Sequence, residues 1–488
     1  MKHCIILILI IFLLTGCNKQ IDEIRPLTKI DQKGELSSVA GIVETTVGNY
    51  TYLNGSDRIY YSMVLQDLCE NRGDNVTLQD WAPVGQYTDA FYFRNSTGLA
   101  AGSSADFYRG SYQLIISANL TLEGIQEFKT STFASLTEAD RNKVTYAEGE
   151  NRFLRAFTYF NLVRIYGKPY YQANAQDLAV PLKTSTDITD IPARSSVKNL
   201  YAFIVSELKS AAELMKAPVT KTNSFASTAS AWALLSRVYL YMGGSIDSPD
   251  AASNQLAITY ADSVIAQTSG KYDLLQGTDY INMLGDDETG ALGRSVFASN
   301  KEIIFAYDNT TTGGSPIGLL YHYYPSDGLG AIFVPSAELK SLYTSIDLRS
   351  TFFKVNTASG KVETTKWLCL NQGGTTLAPC IYFRLAEVYL NRSEAYAKLN
   401  NVSNAKADLK LIHQRAGLSG TEVDNLADAA VLDAILKERR MELAFEGHCS
   451  FDYFRNGLPM TRDAADYNGV ALTIQPTDNN VVFAIPNQ

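Results

Sequence analysis

TEADRNKVTYAEGENRFLRAFTYFNLVRIYG, residues 137–167, decides the architecture. It reads as one long helix over Thr137 to Tyr166, with Phe153, Phe157 and Phe160 recurring on one face at helical spacing. Gly167 and then Pro169 close it, the usual punctuation of a helix end. The flanks repeat this character. Upstream, Glu35 to Tyr52 and Arg58 to Cys69 read as helices, and Ala105 to Phe128 sets Phe107, Tyr112, Ile115, Ile116, Leu120 and Ile125 near a 3.6-residue period. Downstream come Val197 to Met215, alanine-rich Phe225 to Met242, and Ala252 to Thr268. Small residues on helix faces let axes approach closely, so these segments predict helical hairpins stacked on one another.

Residues 270–380 break the pattern. Gly, Asp, Thr and Tyr are frequent there, and short β-like runs, Glu302 to Tyr307 and Thr365 to Leu370, sit between loops. Helices resume at Ile381 to Leu399, Asn404 to Ala416 and Ala429 to Glu446, before a non-helical tail ending Ile485-Pro486. The spacing resembles tetratricopeptide pairs of roughly 34 residues in degenerate form. The expected fold is mainly α: about four such pairs in a single domain over residues 31–488. Residues 31–269 and 381–488 form the scaffold, and 270–380 a loop-rich insertion carrying short β-strands. A second irregular stretch, Arg72 to Gly102, is rich in aromatic residues: Trp81, Tyr87, Phe91, Tyr92 and Phe93.

The N-terminus has its own logic. An apolar run from Cys4 to Leu14 is about half the length needed to cross a ~30 Å hydrocarbon core, which makes it a signal segment and not a membrane helix. It ends in Leu14-Thr15-Gly16-Cys17, which resembles the lipobox of bacterial lipoproteins; an ordinary signal peptide carrying a cysteine is the alternative. Lipidation is therefore expected at Cys17, with residues 1–16 removed and 17–30 left as a flexible tether to a membrane surface.

The signal carries only Lys2, so the processed chain keeps 41 of the 42 Lys and Arg against 51 Asp and Glu. That acidic balance, with no basic run, argues against nucleic acid and anionic lipid as partners. Tyr outnumbers Phe, 29 to 21, which suits either sugar stacking or the filling of gaps between helices. Cys369 and Cys380 flank a Gly373-Gly374 loop and could be bridged or free. Four scattered histidines give no metal site. Asp286-Asp287-Glu288 lacks the alternating spacing of a calcium loop and reads as a solvated turn, so no metal and no cofactor is expected.

Three stretches together carry a resemblance. They are Gly149 to Ala156 running on to Tyr166-Gly167, Arg384 to Tyr396 followed by Arg415-Ala416-Gly417-Leu418, and Glu438 to His448 followed by Phe451-Asp452. Weaker echoes are Gly73-Asp74-Asn75 and Arg109-Gly110 with Ala118-Asn119. In this order, behind a lipobox, they resemble the SusD/RagB family of surface nutrient-binding lipoproteins over nearly the whole processed chain. Cys449 and Ser450 depart from the family's usual Arg and aromatic residue. Glu438 and Glu442, at i and i+4 with arginines between, suit interhelical ion pairing.

The resemblance implies a lipid-anchored protein of the outer membrane that faces the medium. Such a protein caps a SusC-like TonB-dependent transporter and passes it oligosaccharide, or in some members peptide, and performs no catalysis. Its motifs do not transfer ligand contacts, so those were chosen from chemistry. Sugars need aromatic faces for stacking and a few polar groups for hydroxyls. Loops supply both, which selects Trp81, Tyr87, Tyr321, Tyr323, Tyr324 and Trp367, with Asp74, Asn75 and Arg384 as polar partners; Arg384 could equally pair with Glu387. A glycoside hydrolase is the enzyme alternative, needing two carboxylates ~5–10 Å apart in a cleft. No G-x-S-x-G, H-E-x-x-H or phosphate-loop signature occurs. A tetratricopeptide adaptor would instead carry its aromatic residues on concave helix faces.

Overall fold

A computed structural model describes residues 32–54, 61–80, 82, 88–94, 103–267, 270–283, 300–307, 317–321, 330–357, 359–367 and 379–486. Its frame is helical. The principal helices are α1 (Val39–Tyr50), α2 (Tyr61–Glu70), α3 (Ser103–Ser131), α4 (Glu138–Tyr166), α5 (Val197–Leu214), α6 (Thr228–Met242) and α7 (Ala251–Ile265). After the insertion come α8 (Leu385–Lys398), α9 (Val402–Arg415), α10 (Val431–Glu442) and α11 (Cys449–Arg455). Polar caps fix several starts. Thr137 accepts from the Asp140 amide at α4, Ser196 from Asn199 at α5, and Asp250 from Ser253 at α7, while Ser227 and Ser230 form a capping box at α6.

From α3 to α9 each helix packs on the next in chain order, and α10 packs on both α8 and α9. The pairs are thus α3/α4, α5/α6, α7/α8 and α9/α10, the four expected, and the third closes across the insertion. Close approach is built into the sequence: a Cβ on Gly149 of α4 would lie 2.7 Å from Met215 Cγ at the end of α5. The aromatic stripe of α4 faces inward. Phe153 and Phe157 stack at 6.1 Å, and Phe160 meets Tyr241 edge-on at 5.1 Å.

Strands come in antiparallel pairs, none larger among the described residues. They are β1 (Val76–Leu78) with β5 (Phe333–Pro335), β2 (Leu178–Pro181) with β3 (Arg194–Ser196), β4 (Ile303–Tyr307) with β8 (Cys380–Arg384), β6 (Phe353–Val355) with β7 (Val362–Thr364), and β9 (Met460–Arg462) with β10 (Leu472–Ile474). The β4–β8 pair seats the insertion on the frame, because Phe305 meets Phe153 edge-on at 5.2 Å.

Two segments differ from expectation. The helix expected from Ile381 begins only at Leu385, because Ile381, Tyr382 and Phe383 pair with β4 and Phe383 packs beside Phe157. The strand expected over Thr365 to Leu370 ends at Thr364, and Trp367 turns inward to give its indole N–H to the Phe445 carbonyl at 3.1 Å.

Beside the main helical core lies a second one. It gathers Met63 of α2, Val76 and Phe91 of the Arg72 to Gly102 stretch, Tyr321, Phe333, Leu339 and Trp367 of the insertion, and Ala444 and Phe445 from the end of the third motif. The insertion is therefore packed over an interior of its own.

Candidate functional site

Within the Arg72 to Gly102 stretch, residues 88–94 form a tight turn held by amide bonds from Tyr92 to Thr88 and from Arg94 to Asp89. The turn forces Phe93 to a φ of 54°, in the left-handed region that side chains avoid. Its neighbours explain why it holds. Phe91 and Phe93 are both buried; the Arg462 guanidinium sits 4.1 Å from the Phe91 centroid and 5.5 Å from that of Phe93. Arg462 spends its N–H groups on the carbonyls of Gly73, Phe91 and Asn71, tying β9 to this turn.

With its flanking rings anchored below, Tyr92 stays half-buried at the surface. Its ring lies 5.8 Å from Tyr467, also half-buried, at an interplanar angle of 57°. Arg94 Cζ lies 4.5 Å from the Tyr92 centroid and its guanidinium pairs with Asp89 at 3.7 Å. Partial burial nonetheless lifts the Asp89 carboxyl above its ordinary range. Asn468 donates to the Tyr92 hydroxyl at 3.2 Å. Two phenol rings, a guanidinium, an amide and a carboxylate thus share one patch, in chain continuity with residues 83–87 and 95–102. Such a set can offer apolar ring surface and hydroxyl partners together.

Five side chains chosen from sequence for ligand contact are interior, and that choice is corrected here. Tyr321 packs on Phe333 and Phe445 and donates to Asn71 Oδ1 at 2.8 Å. Trp367 is buried in the same core. Asp74 accepts from the Cys449 thiol at 3.0 Å and the Tyr453 hydroxyl at 2.7 Å. Asn75 bridges Glu70 and Arg440, both at 2.9 Å. Arg384, at the end of β8, meets Glu302 at 3.0 Å, Glu442 at 2.5 Å and Glu446 at 2.7 Å, while Glu387 is held by Arg237 at 2.6 Å instead. Tyr321 and Trp367 have an interior to join because the insertion buries a second core, whereas Asp74, Asn75 and Arg384 are drawn in by polar partners on the frame, among them Tyr453, Arg440 and Glu442. Trp81, Tyr87, Tyr323 and Tyr324 lie outside the described residues, as do Cys17, Cys369 and the Asp286 to Glu288 turn.

The departure at Cys449 has a packing reason. A Cβ on Gly73 would lie 2.5 Å from the Cys449 sulfur, so the loop carrying Asp74 closes directly on this small side chain. The third motif does form ion pairs: Glu438 with Arg349 at 2.6 Å, and Arg439 with Asp452 at 2.7 Å. Burial alone would raise the Glu442 carboxyl, but Arg415, Arg384 and Arg349 outweigh it and hold it far below the usual carboxylate range.

An apolar cleft of about 230 Å³ between α10 and α11 is lined by Leu342, Leu436, Leu443, Leu458 and Tyr453. Within its polar lining Arg439 pairs with Asp452, and Arg440 with Glu338. No group of three or more His, Cys, Asp or Glu side chains able to hold a metal ion occurs among the described residues. Sequence reasoning missed Tyr467, Arg94 and Asn468, and passed over Tyr92. Tyr92 stood in the aromatic-rich stretch already singled out; Tyr467, far along the chain, gave no signal.

Residues 357–486 match the model of the SusD family, and residues 28–240 match a family described as starch-binding and associating with the outer membrane. A SusD-like protein P2 from Formosa agariphila is 25% identical over 99% of this chain and 96% of its own. The similar SusD-like protein P38 of the same organism is 25% identical over 74% of each. Among solved structures, a SusD superfamily protein from Bacteroides vulgatus superposes with a TM-score of 0.76 at 24% identity, covering 92% of this chain and 96% of that one. A SusD-like carbohydrate binding protein from the same organism gives 0.72 at 21% identity, over 92% and 95%.

Proposed function

The chain belongs to the SusD/RagB family, and on that premise we propose that it binds oligosaccharide at the cell surface and delivers it to a SusC-like TonB-dependent outer-membrane transporter, with no catalysis of its own. The observation that carries this reading is the Tyr92–Tyr467 surface, flanked by Arg94 and Asn468. Trp81 and Tyr87 precede it in the same stretch and, with Tyr323 and Tyr324 of the insertion, complete the proposed contact set. Carbohydrate as ligand is supported by the starch-binding family description and by the name of the B. vulgatus neighbour. Binding without turnover is supported by the deep carboxylates Glu302, Glu387, Glu394 and Glu442, each occupied by arginine.

Attachment would be through lipid on Cys17. No helix among the described residues is long and apolar enough to cross a membrane, and the matched family associates with the outer membrane. Replacing Cys17 by Ala should release the protein from the membrane fraction; continued association would count against the anchor. The ligand is tested by titrating the processed chain with a broad carbohydrate panel and following tryptophan fluorescence. Trp81→Ala should weaken binding by ~1–3 kcal/mol, the contribution of a stacking aromatic anchor. Silence across the panel together with binding of peptides would move the reading to a peptide-binding member.

A further inference from the structure

The tip of the β2–β3 hairpin, residues 182–193, is braced by its own polar groups. Lys183 is buried, while Asp187, Thr189 and Asp190 stay exposed and bond within the tip. The Lys183 ammonium donates to the carbonyls of Asp187 and Asp190 and pairs with the Asp190 carboxylate at 3.2 Å. Ser185 donates to Asp190 at 2.6 Å, and Asp187 Oδ1 accepts from the Thr189 amide at 2.8 Å and its hydroxyl at 2.7 Å. The Thr186 amide donates to Glu123 of α3 at 2.9 Å, and Asn119 donates to the Lys183 carbonyl at 3.1 Å, which pins the tip to the frame. Two isoleucines face out beside these polar groups: Ile188 is 90% exposed and Ile191 81%. The next most exposed large aliphatic side chain among the described residues, Val470, stands at 66%. Single exposed apolar residues need no explanation, but two on one braced tip do.

The place of the tip suggests what covers them. Leu36 and Ser37, near the start of the described chain, line the same groove of about 370 Å³ as Glu123 and Thr186. Residues 17–31 precede Gln32 in the chain, and even fully extended they span only about 50 Å. If Cys17 is lipidated, as the proposed function holds, this end of the molecule is kept close to a bilayer, where a weak second contact becomes effectively intramolecular. A protein pocket would pair apolar anchors with rim hydrogen bonds, whereas the exposed Asp187 and Asp190 already bond Thr189 and Ser185 within the tip. Burial of aliphatic side chains in lipid needs no directional partner.

We propose that Ile188 and Ile191 insert into the boundary of the outer leaflet and act, with the lipid on Cys17, as a second membrane contact that sets how the globule stands on the surface. The inference rests on the anchor and goes beyond it. Its test places nitroxide labels at Ile188→Cys and Ile191→Cys in the lipidated, processed chain, with Val355→Cys, also an exposed apolar position, as control. Cys369→Ser serves as background, since Cys69, Cys380 and Cys449 are buried. On vesicles of phosphatidylethanolamine and phosphatidylglycerol, the oxygen-to-nickel accessibility ratio should rise several-fold at 188 and 191 and stay aqueous at 355. Labels that remain in water while the protein stays on the vesicles overturn the lipid contact alone. Shielding that needs an added barrel transporter also overturns it, in favour of a protein surface. Protein that never stays with the vesicles overturns the anchor, and the contact that depends on it.

Discussion

The ion network beneath β8 and the tyrosine surface beside β1 use similar side chains to opposite ends. In the network, Arg384 and Arg415 meet Glu302 and Glu442 with no water-facing side left open. At the surface, Arg94 and Tyr92 keep one side toward solvent while Phe91 and Phe93 anchor them from below. The difference lies in what packs behind each group. A guanidinium surrounded by three carboxylates from two chain segments becomes a fastener; one resting on a half-buried ring, with Asp89 as its one ion pair among the described residues, keeps a side toward solvent.

The largest expected effect comes from breaking the fastener. Arg384→Met should cost ~3–5 kcal/mol of stability in denaturant unfolding, because it strands carboxylates in the interior. Ligand affinity of the folded fraction should be unchanged. A loss of affinity at normal stability would move Arg384 back among the ligand contacts and erase the distinction drawn above.

The surface predicts the reverse signature. Tyr92→Ala should weaken carbohydrate binding by ~1–3 kcal/mol with little effect on the unfolding midpoint, as for a stacking anchor. Comparing it with Trp81→Ala sharpens the picture, since equal losses would make the two rings parts of one platform. An unfolding midpoint that drops as far as in Arg384→Met would show that Tyr92 is packing and not recognition.

The smallest effect is in the pH dependence of the network's edge. His413 bridges Glu438 at 3.0 Å and Glu422 at 3.2 Å, and the hydrogen bond to Glu438 raises its pKa above the ordinary histidine value. A raised folded-state pKa stabilises fully below the unfolded value of about 6.5, and that contribution fades as pH rises through the folded value. The stability lost in His413→Gln, read as the difference in thermal unfolding midpoint from the parent chain, should therefore be largest near pH 5 and fade toward pH 8. A difference that stays constant across this range would assign the dependence elsewhere.

Much of this molecule was legible along the chain. The Phe153, Phe157 and Phe160 stripe, the closing Gly167, and the alanines of α6 gave the helical frame from periodicity and caps alone, because those signals are local. The ion-pairing role of Glu438 and Glu442 was also readable from their i,i+4 spacing. The contact residues were not. Trp367 and Tyr321 sit among glycines and polar residues, a loop's local signature, yet both end in a core assembled with Met63, Phe91 and Phe445 from elsewhere in the chain. Burial is a property of the assembled volume, and no window of sequence contains it.

By itself, then, the sequence determined a stacked-helix frame and an interruption between the third pair's two members, since turn chemistry and helical period act over a few residues. Only the tertiary structure decided which aromatic and charged groups stay in reach of solvent. That choice sealed Arg384 among Glu302, Glu442 and Glu446 and brought Tyr467 beside Tyr92. Both outcomes follow from contacts between segments tens to hundreds of residues apart, where packing and charge compensation act through space and not along the chain.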